Sequence, residues 1–88
     1  MQQHQFEIVN NLGLHARASA LLVKTATPFS SEIRLCLDEI EANGKSIMGV
    51  MMLAAAKGSR VKLTVEGPDE AEASKVIGEL INDGFGET

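Results

Sequence analysis

The chain lacks tryptophan and tyrosine and holds only three phenylalanines. Its core must therefore be aliphatic, and a stacking platform for nucleic-acid bases is excluded. It has one cysteine, Cys36, so an internal disulfide framework and a multi-cysteine zinc site are excluded. No run is long enough to span a bilayer, since the longest apolar stretch, Ile47 to Ala56, is interrupted by Gly49. The first residues, Met1 to Gln5, show neither a basic segment nor an apolar one, so no signal peptide is expected and the cytoplasm is the expected compartment. The net charge is −4, which disfavours binding to nucleic acid.

What is present suits one compact domain spanning residues 1–88, with 44% hydrophobic and 23% charged residues. The charge is unevenly distributed. Seven of the twelve acids lie from Glu66 onward, with Lys75 as the one base there. Two long stretches, Ile8 to Ser31 and Ala42 to Val65, contain no acid at all. Two readings stand open: an acidic last helix beside a chance pattern, or a surface kept free of carboxylates for an anionic group.

Alternation predicts strands over Gln5 to Val9, Glu32 to Leu37, Ile40 to Asn43 and Arg60 to Glu66. Asp38-Glu39 makes the tight connection between the middle two. An alanine- and leucine-rich helix is predicted from Ala16 to Ala26, stopped at Thr27-Pro28. A second helix is predicted from Ile47 to Leu53, capped by Ser46, with room to run to Ala56 before Gly58. A third begins after Asp69, with Glu72 in capping-box position, and runs to about Asp83. The order is βαββαβα. Strands with one apolar face imply a four-stranded, mainly antiparallel sheet with three helices on one side, an open-faced two-layer α/β sandwich.

The segment Gly13-Leu14-His15-Ala16-Arg17 lies where a loop enters a helix. The first N–H groups of a helix lack intrahelical partners and, with the macrodipole, favour an anion. That dipole disfavours a positive ring, which suits His15 as a nucleophile. Arg17 can bring a charged fork to the same anion. These features fit a phosphoryl group accepted on His15 with no metal or cofactor required. Spacing alone leaves the other reading open, a surface histidine beside an unrelated arginine.

Ser46 is an N-cap on any reading, and its hydroxyl is also a candidate for phosphorylation, which would add about two negative charges. Ile47, Met48 and Met51 stand in a helix too apolar to hide on all sides, so part of it is expected to form an exposed docking patch; core packing is the alternative for each methionine. His4 is read as a solvated terminal residue. Cys36 is expected on the open sheet face, without a reactive role.

With these residues in view, the chain resembles the family of the histidine-containing phosphocarrier protein, HPr, of the bacterial phosphoenolpyruvate-dependent phosphotransferase system. Gly13-Leu14-His15-Ala16-Arg17 resembles the family's phosphorylation site, and Lys45-Ser46-Ile47-Met48-Gly49-Val50-Met51, followed by Ala56-Lys57-Gly58, its regulatory-serine segment. The resemblance runs from about Gln5 to Phe85. It implies the open-faced β-sandwich fold and a phosphoryl group received by His15 from phosphorylated Enzyme I, on the ring nitrogen nearer the backbone. Delivery would then be to a histidine of an Enzyme IIA domain, in sugar uptake. Arg17 would pair with the phosphoryl group, and Ser46 would be the site of a serine kinase/phosphorylase. Ile47, Met48 and Met51 would dock on Enzyme I and IIA, and the carrier would be monomeric.

Three features depart from the family's pattern. Ala18 stands where the family often has proline, Asp38-Glu39 replaces an earlier Asn-Gly turn, and Asn82-Asp83-Gly84-Phe85 resembles the nitrogen-related paralogue. A regulatory binding module controlled by phosphorylation is the alternative function. Both His15 and Arg17 being present favours the carrier.

Overall fold

The computed structural model describes residues 1–87. In chain order it runs β1 (Gln2–Glu7), α1 (Ala16–Ala26), β2 (Glu32–Leu37), β3 (Ile40–Asn43), α2 (Ile47–Met52), β4 (Arg60–Glu66) and α3 (Glu70–Asn82), closed by a 3-10 turn at Gly84–Gly86. The four strands form one sheet in the order β1-β4-β2-β3, and every neighbouring pair is antiparallel. The expected βαββαβα sandwich is what forms.

Period-two side chains decide which face of the sheet is covered. Ile33 and Leu35 of β2, Ala42 of β3 and Val61, Leu63 and Val65 of β4 point to one side and are buried. Cross-strand pairing puts Gln5, Lys62, Cys36 and Glu41 on the other side, which carries polar groups. The helices cover the apolar side with matching stripes: Ala18, Leu22, Val23 and Ala26 from α1, Val50 from α2, and Ala73, Ile77 and Ile81 from α3. Gly78 lets α3 approach β1, because a Cβ there would stand 2.7 Å from the Phe6 ring.

Cys36 falls on the open face as expected, its thiol held protonated chiefly by burial and then by Glu41. Asp38 takes a left-handed φ of 55° in the β2–β3 connection, a conformation aspartate tolerates better than most residues.

Three expectations need correction. The first strand runs from Gln2 to Glu7, not from Gln5 to Val9, because it pairs with the full length of β4, from Gln2 opposite Val65 to Glu7 opposite Arg60. His4 is therefore a strand residue, exposed, with its ring 6.3 Å from Phe6. The second helix stops at Met52, short of Leu53 and well short of Ala56. Ala54 adopts a left-handed φ of 51° there, and the Ala55 carbonyl accepts the Leu14 N–H at 2.9 Å instead of a helical bond.

The capping box at the start of α3 does not form either. The Asp69 side chain makes no bond to its own helix, although its carbonyl accepts the Ala73 N–H at 2.9 Å. Its carboxylate accepts from the N–H groups of Ser30 and Ser31, at 2.8 and 2.9 Å, and from the Ser31 hydroxyl. Those bonds hold the Asp69 carboxyl below the usual carboxylate range, the Ser31 hydroxyl most strongly.

Candidate functional site

Gly13 begins the site. Its φ of 65° is one that residues with a side chain rarely adopt, and a Cβ there would stand 2.4 Å from the Ala55 carbonyl oxygen. The chain thus passes tight against the residues that follow α2, and the Leu14 N–H fastens it to the Ala55 carbonyl. Leu14 is buried, which leaves the next residue at the surface. That residue is His15.

His15 is the N-cap of α1, in extended backbone geometry (φ −73°, ψ −179°). Its side chain does the capping. Nδ1 accepts the Arg17 backbone N–H at 3.3 Å, while the His15 carbonyl accepts the Ser19 N–H at 2.9 Å. The first turn of α1 contains no acid. His15 is partly exposed, and the Arg17 side chain is exposed, with no ion pair among the described residues. Both line one open pocket of about 930 Å³, together with Asn10, Leu12, Phe85 and Glu87.

Glu87 was not foreseen. Its Oε2 lies 2.5 Å from His15 Nε2, and its Oε1 accepts from Asn10 Nδ2 at 3.1 Å. Asn10 is buried and also donates to the Gly13 carbonyl at 2.8 Å. The His15 bond, and after it the Asn10 bond, holds the Glu87 carboxyl below the usual carboxylate range, with the Arg17 charge adding to the effect. The surface around His15 is therefore not free of carboxylates, although its own stretch of sequence is. The available signal was the Gly84-Phe85-Gly86 triplet. All three residues have left-handed φ (66°, 58° and 72°), and Phe85 is buried. Such a reversal, anchored by an aromatic ring, brings the following residue back over the fold.

Ser46 caps α2 as expected, its hydroxyl accepting the Gly49 N–H at 3.1 Å. It does not line the His15 pocket. Ile47, Met48 and Met51 are exposed at 43%, 69% and 37%, while Val50 is fully buried. Met52, the other methionine of this helix, is exposed at 73%, and Leu12, which was not singled out from the sequence, at 71%. The described residues contain no cluster of acidic, histidine or cysteine side chains able to hold a metal ion. None of their helices is long and apolar enough to cross a membrane.

An antiparallel sheet roofed on one side by three helices, with a histidine capping the first, defines an open-faced α/β sandwich that presents one imidazole at its surface. The family described as the PTS HPr component phosphorylation site matches residues 2–83. The phosphocarrier protein HPr of Neisseria meningitidis serogroup A is 52% identical over 87 residues, covering 99% of this chain and 98% of the relative. HPr of Cupriavidus necator is 49% identical over the same length. A crystal structure of HPr from Thermoanaerobacter tengcongensis superposes with a TM-score of 0.96 at 49% identity, covering 100% of this chain and 99% of that one. The chain belongs to the HPr family of phosphocarriers of the phosphotransferase system.

Proposed function

We propose that the chain, as a single carrier domain over residues 1–88, receives a phosphoryl group on His15 from phosphorylated Enzyme I. It then delivers that group to a histidine of an Enzyme IIA domain. The observation that carries this reading is the placement of His15. Its ring is partly exposed in an open pocket, its Nδ1 faces the start of α1, and Arg17, without an ion pair among the described residues, stands on the same rim. A phosphoryl group on Nδ1 would meet the free N–H groups and positive dipole end of α1, and the Arg17 guanidinium could close on it. The exposed side chains Ile47, Met48 and Met51 serve as the grip for both partners, and the carrier works as a monomer in the cytoplasm. Ser46, already bonded to Gly49, is the regulatory hydroxyl: its phosphorylation by a serine kinase/phosphorylase would set negative charge beside that grip.

One experiment tests the set. Wild-type protein, His15→Ala and Ser46→Asp are incubated with phosphoenolpyruvate and Enzyme I. Wild type is expected to take up an acid-labile phosphate, His15→Ala none, and Ser46→Asp the same amount at a rate reduced about tenfold or more. Labelling of His15→Ala at the wild-type level overturns the assignment of the ring. Equal rates for Ser46→Asp and wild type overturn the role of Ser46.

A further inference from the structure

We infer that Glu87, oriented by Asn10, is the positioning residue that keeps the proton of His15 on Nε2 and so leaves the Nδ1 lone pair as the one that takes the phosphoryl group. This rests on the carrier reading above and adds to it the group that selects the reacting atom.

The argument begins at the buried end. Asn10 Nδ2 points at two acceptors, the Gly13 carbonyl and Glu87 Oε1. Turning the amide over would set its oxygen against both of them, so the orientation is determined by its neighbours. The arrangement has a cost, since the buried Asn10 Oδ1 has no partner among the described residues. Asn10 fixes one oxygen of Glu87, and the other oxygen then meets His15 Nε2. An ionised carboxylate only accepts, so Nε2 must be the donor. Nδ1 faces the Arg17 N–H, which only donates, so Nδ1 must hold the lone pair. Both contacts select the same tautomer. Among the described residues, the charged groups around the ring are Glu87, which bonds it, and Arg17, which lines the same pocket. Lys57, from the loop before β4, is instead engaged by Asn11 Oδ1 at 2.9 Å.

The step follows. The Nδ1 lone pair forms a bond to phosphorus as the bond from phosphorus to the donor's leaving atom breaks, and that bond's electron pair returns to the donor. The proton stays on Nε2, so the ring gains positive charge, which the Glu87 carboxylate faces. Delivery runs the same course backwards: the N–P pair returns to Nδ1, and the ring leaves as neutral imidazole because Nε2 never lost its proton. A ring without that proton would have to leave as an anion, a far poorer leaving group.

The test uses the whole chain as Glu87→Ala and Glu87→Gln. Glu87 belongs to no helix or strand, so neither change disturbs the core. Nitrogen-15 spectra of the neutral His15 ring are expected to show protonated Nε2 and bare Nδ1 in the wild type, and a mixture of tautomers in Glu87→Ala. Phosphoryl transfer from Glu87→Ala to a histidine acceptor is expected to fall about tenfold, a smaller effect than that of a fully buried carboxylate behind a catalytic histidine. Glu87→Gln, whose amide oxygen can still accept, is expected to keep the tautomer and to lose less rate than Glu87→Ala. An unchanged ring spectrum in Glu87→Ala overturns the inference, as does an unchanged rate. If the wild type takes no phosphate at all, the carrier reading fails, and the spectra still decide what Glu87 does to the ring.

Discussion

At the start of α3, Asp69 turns its carboxylate away from its own helix and binds Ser30 and Ser31; at the start of α1, the carboxylate of Glu87 arrives from far along the chain and binds the His15 ring. Both carboxyls are held below their usual range by the groups they bind. Their partners differ. Asp69 closes on two backbone N–H groups and a hydroxyl, leaving nothing to react. Glu87 closes on one nitrogen of a ring whose other nitrogen keeps a lone pair at the rim of a pocket. The same interaction, a carboxylate crossing between segments, is a structural tie at one helix and a control on reactivity at the other. What separates them is whether the captured group keeps a second functional atom.

This contrast breaks most forcefully at Gly67. Its φ is 153°, and a Cβ there would stand 2.6 Å from both Cα and Oγ of Ser31. Gly67→Ala should pry the loop that holds Ser31 away from α3 and destabilise the protein by about 2–4 kcal/mol. Urea unfolding checks the loss, and transfer by the fraction still folded should match wild type. At the α1 start the reverse is expected. Arg17→Ala removes an exposed side chain, so stability should hold, while transfer to and from His15 slows about tenfold through loss of a charge-assisted bond. A stopped-flow assay beside circular dichroism separates the two effects, and an unfolded spectrum would make Arg17 structural instead.

The smallest effect is expected at Asp69 itself and depends on pH. A carboxyl held low in the folded state adds stability that is complete above the ordinary value of about 4 and is lost as the pH falls through its folded value. Asp69→Ala should therefore lower the urea midpoint at neutral pH and match wild type in strong acid, with transfer unaffected. A wild-type midpoint at neutral pH would mean that the tie to Ser30 and Ser31 contributes nothing.

The elements that were legible in the sequence are those with a local cause. Alternation gave β2, β3 and β4 their observed bounds, and the run from Ala16 to Ala26 matched α1 at both ends. The site's local half, His15 and Arg17 at a helix start, could be read for the same reason. The rest depends on partners distant in sequence. Asp69 reads as a cap because nothing near it reveals Ser31, 38 residues away. Alanines 54–56 are good helix formers, yet the chain leaves the helix so that the Ala55 carbonyl can meet Leu14. Asn10 and Glu87 are separated by 77 residues and follow no period, so only the folded chain shows them to be partners.

The clasp between Gly13-Leu14 and Ala55 joins the loop that carries His15 to the end of the helix that carries the exposed methionines. Its effect is one of alignment. On the proposed role of α2, a partner that seats itself there has located the imidazole as well, because the clasp sets the spacing between the two. Partners of unrelated shape could then share the carrier without agreeing on anything except a single helix, much as different instruments share a common mount.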